Sequence, residues 1–182
     1  MNSKQFQEDE YKRRKELAVY WYNKASDLRG SAGALWVSMD DSTSGKMADK
    51  LGLGAGFSFK AACYPVYLML CGMALELVFK AIIVAQNQEP PSIHNLIELA
   101  RKADVEYSDD EEGLMQILSE SVIWEGKYPV PKKQEHLEQF NELCLEHLYD
   151  KASLGSLEVL KSNDSLSWES VNNLWKRASN LY

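Results

Sequence analysis

The sequence has few of the residues that break helices or cross-link chains. It contains five prolines and ten glycines among 182 residues, and its three cysteines show no CxxC spacing. Few prolines and glycines favour long helices, because both residues are costly inside a helix. An odd number of cysteines without such spacing argues against a disulfide framework and indicates reduced thiols in a cytoplasm.

The chain also lacks an excess of positive charge and a run long enough to span a membrane. Twenty Lys and Arg against 27 Asp and Glu give a net charge of −7, which argues against a general surface for nucleic acid or anionic membranes. The longest uncharged stretch, 61–75, ends at Glu76 and is shorter than the about 20 apolar residues of a membrane span. The segment 1–15 has no apolar core typical of a secretory signal. We therefore expect a cytoplasmic protein with no membrane partner.

The chain does have apolar residues that recur at intervals of three and four, the period of a helix buried on one face. The pattern predicts helices over about 8–39 and 62–86, from caps at 92 and 108, over about 133–152, briefly near 157, and over 171–181. The segment 40–58 is interpreted as a loop, because it is rich in Ser, Gly and Asp. No strand pattern is visible. The fold class is therefore all-α, a bundle of five or six helices.

The length fits one domain covering 1–182. Its core is expected over about 11–149, with a C-terminal helical extension over about 150–182. At Ser108, the sequence Ser-Asp-Asp-Glu predicts a capping box, in which the Ser side chain and the Glu111 side chain each bond the other residue's backbone. The helix over 62–86 is apolar nearly all round, so it is expected at the centre of the bundle.

The central helix carries two opposite charges one turn apart, Glu76 and Lys80. On a helix with no exposed side such a pair must be satisfied locally, and it sets register more than it adds stability. His94 lies at the start of the following helix, where it could bond Glu76 across the bundle. These residues are interpreted as a polar cluster that holds two helices together, and a ligand-binding role remains the alternative.

Three short motifs in this order resemble the HEPN family of helical bundles. The segment 74–81, Ala-Leu-Glu-Leu-Val-Phe-Lys-Ala, resembles the family's Ala-x-Glu-x-x-x-Lys. His94-Asn95-Leu96, with Leu99 one turn on, resembles its His-x-Leu-x-x-Leu, and Lys127-Tyr128-Pro129 resembles its Arg-Tyr-Pro with Lys in place of Arg. The resemblance covers about 11–147. It implies a HEPN-like bundle with ligand or polar-cluster candidates at Glu76, Lys80, His94, Asn95, Lys127 and Tyr128.

The ribonuclease site that the resemblance would imply is not visible. Many HEPN proteins are metal-independent ribonucleases whose site resembles an Arg and a following His with four to six residues between them. None of the three histidines here, His94, His136 and His147, follows an Arg at that spacing. Cys144 and His147 share a helix face, but with His136 they do not make a structural zinc site. We therefore assign no catalytic residue, no metal and no cofactor.

A homodimer is expected on two grounds. Tyr20, Trp21 and Tyr22 point in different directions around the first helix, so one buried face cannot cover them all. An exposed apolar patch usually marks a contact site, and HEPN domains commonly pair. The rival explanation is that a tail helix carrying Trp168 and Trp175 folds back over this surface.

Three functions remain open. The first is a non-catalytic binding or interaction module in a prokaryotic or phage toxin–antitoxin or defence context, as the family's associations imply. The second is a divergent ribonuclease that uses Lys127, His136 or His94. The third is a nucleotide-binding domain. A cleft that holds Glu76, Lys80, His94 and Lys127 together would favour the third function, whereas a fully packed cluster would favour the first.

Overall fold

The computed structural model describes residues 3–54, 56–155 and 157–182. Within these ranges it contains eight α-helices, one π-helical turn and two strands, so the all-α fold class is confirmed and the expected number of helices is too low. The elements are α1 Ser3–Glu16, α2 Ala18–Ser38, α3 Asp41–Leu51, α4 Phe59–Ala85, α5 Leu96–Lys102, α6 Asp109–Glu120, the π turn Ser121–Glu125, α7 Gln134–His147, β1 Tyr149–Leu154, β2 Leu157–Ser162 and α8 Trp168–Ser179.

Helix α4 is the central element of the bundle. It packs along α2 and also contacts α5, α6, α8 and the π turn. Leu75, Phe79 and Ile82 are at most 1% exposed, while Leu77 is only partly buried against the core. α4 is long and apolar enough to cross a membrane by length and composition, but 72% of its most apolar window is buried inside the bundle. That burial fits the core helix of a soluble protein.

The close approach of α4 and α6 depends on Gly72. A Cβ atom at Gly72 would lie 2.6 Å from Val122 Cγ2 and 2.7 Å from the carbonyl oxygen of Leu118. Real Cβ atoms do not approach other atoms this closely, and a backbone oxygen cannot move aside as a flexible side chain can. The glycine therefore sets how near the π turn lies to the central helix.

The segment 40–58, expected to be a loop, contains α3. Asp40 caps the helix by accepting a hydrogen bond from the Ser42 backbone N–H at 2.8 Å, and Gly52 ends it in the left-handed conformation at φ 68°. These are strong start and stop signals. The sequence still predicted a loop because the segment is polar and has almost no apolar pattern. Ala48 is the one described residue of α3 that is buried.

Two further expectations about helix ends were wrong. The first helical segment is two helices, since Leu17 has extended backbone angles between α1 and α2. The third expected helix begins later than Ser92, because Asn95 is its N-cap and accepts from the Glu98 N–H at 2.9 Å. The capping box at Ser108 and Glu111 is present with both of its hydrogen bonds.

The short helix expected near Leu157 is a strand. β1 and β2 form an antiparallel hairpin with a turn at Gly155, which has φ 65°. Helix α7 accordingly ends at His147, before the expected end at Ala152. All six residues of β2 are exposed, so this strand has no buried face to impose alternation on its sequence. The C-terminal extension is therefore a hairpin followed by a helix.

Helix α8 folds back over α2 and joins the same hydrophobic core. Trp175 is buried, and the Arg29 guanidinium lies 4.4 Å from the centre of its ring. Arg29 Nε also donates to Asn172 Oδ1 at 2.7 Å. At the end of the chain, the ring of Tyr182 stacks on that of Tyr22 at 4.4 Å. Part of the aromatic surface of α2 is thus covered within one chain.

Candidate functional site

Glu76 and Lys80 form an ion pair inside the bundle. Lys80 Nζ donates to Glu76 Oε1 at 2.7 Å, and both residues are 6% exposed. The spacing of one helical turn brings the two side chains together on α4, and the surrounding helices exclude water from them. Because each charge offsets the other, the pair is tolerated at a position where a single charge would be very costly.

His94 joins this pair from the segment before α5. Its Nδ1 lies 2.9 Å from Glu76 Oε2, so both oxygens of the Glu76 carboxylate are occupied. We call Glu76, Lys80 and His94 the Glu76 cluster. Unlike the other two side chains, that of His94 is 60% exposed. A histidine whose Nδ1 is held by a carboxylate has its Nε2 fixed in orientation, an arrangement suited to binding a ligand or transferring a proton.

Asn95 and Ser119 fix the position of His94. The Asn95 side chain caps α5, which orients the chain as it enters the helix. The next backbone N–H, that of Leu96, donates to Ser119 Oγ at 3.0 Å, and Ser119 Oγ donates to the Met115 carbonyl at 2.7 Å. These bonds tie the start of α5 to α6. Asn95 therefore has a structural role, and Ser119 is a positioning residue that no sequence motif indicated.

Lys127 and Tyr128 are not part of the Glu76 cluster. Both are exposed, Tyr128 at 60%, and they follow the π turn at Gly126. A Cβ atom on Gly126 would collide with the Met69 side chain, which places this bend against an earlier part of α4. Met69 lies about 10 Å along the helix axis from Glu76. The structure thus brings three of the six sequence-predicted residues together and leaves Lys127 and Tyr128 elsewhere.

A small cleft lies next to His94, between the start of α5, α6 and α7. Its volume is about 290 Å³, and Asn95, Gln116, Glu120, His136 and Gln139 contribute polar side chains to it. Glu120 is engaged by Trp124 Nε1, which donates to it at 2.8 Å. His136 and Asn95 therefore share one cleft, although they lie far apart in sequence and no spacing rule connects them.

The thiols of Cys71 and Cys144 show no sign of activation for chemistry. Burial raises the pKa of the Cys71 thiol to about 12 and that of Cys144 to about 11, so both remain protonated at neutral pH and are poor nucleophiles. The ring of His147, one turn from Cys144, packs against Gly113. In the part of the chain that the structure describes, no group of three or more His, Cys, Asp or Glu side chains is placed to hold a metal ion.

Comparison of the chain with protein-family models, with curated proteins and with solved structures gave no match.

Proposed function

We propose that this chain is a non-catalytic, HEPN-like binding or interaction module. The observation that supports this proposal best is the burial of Glu76 and Lys80, which are satisfied by each other and by His94. Residues used in this way hold α4 to the start of α5 and do not face a substrate. The distance of Lys127 from the cluster also argues against one cleft containing all four residues.

The biological setting in this proposal comes from the family resemblance. In that setting the protein is cytoplasmic and belongs to a prokaryotic or phage toxin–antitoxin or defence system. It acts by binding a second copy of itself or another protein. A homodimer is part of the proposal. The aromatic argument for it is weaker than the sequence suggested, because α8 covers Tyr22 and the Arg13 guanidinium lies 5.4 Å from the centre of the Tyr20 ring.

The exposed apolar side chains around the π turn are a better candidate for the dimer contact than the aromatic residues of α2. Ile123 is 48% exposed, and Tyr128 and Val130 are each 60% exposed. Light scattering at several concentrations tests the dimer. We expect a mass twice the 20.7 kDa of one chain, and Val130→Asp should lower it, since a charge at an apolar contact is costly. A mass of one chain at every concentration would reject the dimer and leave the folded-back α8 as the full explanation.

A ribonuclease assay tests the absence of catalysis. Pure protein is incubated with generic single-stranded RNA beside His94→Ala and His136→Ala variants prepared in the same way. We expect no cleavage above background from any of the three proteins, because no Arg accompanies a His at the spacing that the family's site uses. Cleavage by the unaltered protein that disappears in either variant would overturn the proposal and establish a divergent ribonuclease.

The cleft of about 290 Å³ supports a second candidate, a nucleotide- or RNA-binding domain. Its volume is at the lower end of small-molecule sites, about 300 Å³ and above, which suits a nucleobase or one phosphate group. His136 and the amides of Gln116 and Gln139 could bond either. Titration with AMP, followed by isothermal calorimetry, tests this candidate. Saturable binding that His136→Ala weakens and Gln134→Ala on the same helix does not would favour it over the interaction module.

A further inference from the structure

A second cleft lies towards the other end of α4 from the Glu76 cluster. Its volume is about 770 Å³, and it is bordered by the end of α2, the starts of α3 and α4, the base of the hairpin and the segment before α8. Tyr64, on its wall, is separated from Glu76 by about 18 Å along the helix axis. The volume falls within the range of small-molecule sites, about 300–1,000 Å³. This cleft is therefore independent of the proposed function.

Aromatic rings form one wall of this cleft. Trp36, Tyr64 and Tyr149 contribute to the lining from three different elements. The rings of Trp36 and Tyr64 both pack against Tyr67, with centroids 5.2 and 6.1 Å away. Tyr67 is fully buried and its hydroxyl donates to the Leu166 carbonyl at 3.2 Å. The aromatic wall is consequently held in place before any ligand arrives.

The charged side chains of the cleft are mostly acidic. Asp40, Asp41 and Asp164 line it together with one cation, Lys60, which gives a local net charge of 1 − 3 = −2. In the described ranges, Asp41 and Asp164 have no side-chain hydrogen bond or ion pair. The hydrogen bonds from Ser42 lower the pKa of Asp40, so this carboxylate remains ionised at neutral pH.

Three helix N-termini also reach the cleft, and on their own they would favour an anion. Each of them is already capped by a side chain of the same chain. Asp40 accepts from Ser42 N–H, Ser58 accepts from Ala61 N–H at 3.2 Å, and Ser167 accepts from the N–H of residue 170 at 3.3 Å. Each cap occupies one of the donors that could bind an anion, and the three carboxylates at the cleft oppose an anion as well, so the carboxylates and ring faces favour a cation.

We propose that this cleft binds a small organic cation, an ammonium compound with apolar substituents. The faces of Trp and Tyr rings attract such cations, and the attraction is stronger where water is excluded. The unpaired carboxylates of Asp41 and Asp164 supply the opposite charge, and the apolar walls accept the substituents. A neutral molecule of the same shape would gain only the apolar contacts, so charge should determine affinity.

Two probes of equal shape test this selectivity. Choline carries a quaternary ammonium group, and 3,3-dimethyl-1-butanol has a carbon in place of that nitrogen. Titration of the full chain is followed through the indole N–H signal of Trp36 in a proton–nitrogen correlation spectrum, assigned with Trp36→Phe. We expect choline to shift this signal saturably and the alcohol to bind about tenfold more weakly, the factor that corresponds to a cation–π contribution of about 1.4 kcal/mol. Equal binding of the two probes, or no binding of choline, would overturn the proposal.

A pair of charge variants locates the site. Asp164→Asn removes a carboxylate that lines the cleft, and Asp49→Asn removes one from the exposed part of α3. We expect Asp164→Asn to weaken choline binding several-fold and Asp49→Asn to leave it unchanged, with unaltered spectra showing that both variants fold. Equal effects of the two variants would contradict a local site. Competition with inorganic phosphate provides an opposite arm, since displacement of choline by phosphate at constant ionic strength would mean that the cleft prefers anions.

Discussion

The central helix is stabilised by different interactions from those that stabilise the hairpin. Side chains of α4 are buried on every side, and even its charged pair, Glu76 and Lys80, is enclosed. The hairpin is six residues long in each strand and none of the residues of β2 is buried. Backbone hydrogen bonds between two strands are marginal by themselves in water. The stability of the hairpin therefore depends on its connections to α7 and α8. The stability of α4 comes from the helices that pack around it.

This difference predicts where mutations matter. In α4 the environment of each side chain is set by neighbours from several helices, so a change in volume cannot be absorbed. In β2, side chains face water and a change in volume is nearly free. The comparison also predicts where polar side chains need partners. A buried polar side chain in α4 needs one, and an exposed polar side chain in β2 does not.

The largest effect is expected from a matched pair of leucines. Leu75→Ala in α4 should lower the free energy of unfolding by about 2–5 kcal/mol, because the side chain is fully buried and its removal leaves a cavity. Leu160→Ala in β2, where the leucine is 56% exposed, should change it by less than about 0.5 kcal/mol. Urea unfolding followed by circular dichroism measures both. Comparable costs would mean that the hairpin is covered in solution.

A pair of glycines gives a somewhat smaller contrast. Gly72→Ala should destabilise the protein by about 1–3 kcal/mol, since the new methyl group would overpack the contact with Val122 and the Leu118 carbonyl. Gly30→Ala in α2 adds a methyl group that meets nothing within 4 Å and should stabilise by about 0.5–1 kcal/mol, because alanine favours the helix. Thermal unfolding gives both signs. A neutral Gly72→Ala would show that α4 and α6 can separate at little cost.

The smallest effect is expected at Glu125 in the π turn. This residue is half-buried, less than the core of α4 and more than the residues of β2. Its Oε2 is buried without a hydrogen-bond partner among the described residues. Burial raises the pKa of this carboxyl above its ordinary value. The folded protein therefore binds the proton more tightly than the unfolded chain does. The ionised form destabilises the fold at neutral pH, and this cost disappears as the pH falls through the raised pKa.

Glu125→Gln should accordingly stabilise the protein at pH 7 by up to about 1 kcal/mol, the order of the penalty for a buried unpaired polar group. The gain over the unaltered protein should shrink when unfolding is measured at pH 4 to 5. Glu142→Gln, on α7 and exposed, provides the control. A gain that does not depend on pH would show that the carboxyl of Glu125 is not protonated more easily in the folded state.

The sequence predicted the parts of the fold in which burial requires apolar residues at regular positions. The length and position of α4 and its central place followed from such a pattern, and the capping box at Ser108 followed from a local motif. The contact between His94 and Glu76 was predicted as well, because Glu76 lies on the helix expected at the centre and His94 at the start of the helix that follows it. The hairpin was missed for the converse reason. Leu157 and Leu160 are exposed, so their spacing carries no information about a buried face.

The site was predicted only in part because helix packing determines which motifs meet. Lys127 follows α6 in sequence at a plausible distance, but Gly126 packs near Met69 and so places it at another level of α4. The cleft around His136 depends on how α7 docks on α6. The larger cleft depends on Tyr149 and Asp164 from the C-terminal segment. Neither packing arrangement has a local sequence signal.

The central claim is that Glu76 and Lys80 form a structural ion pair in which each buried charge is tolerated because of the other, and a double-mutant cycle on these two residues tests it most directly. Glu76→Met, Lys80→Met and the double variant are compared by urea unfolding. We expect each single variant to lose about 3–5 kcal/mol, because it leaves one buried charge without its partner, and the double variant to lose much less than the sum. Single variants that each change stability by less than about 0.5 kcal/mol would contradict the claim, since neither buried charge would then depend on the other.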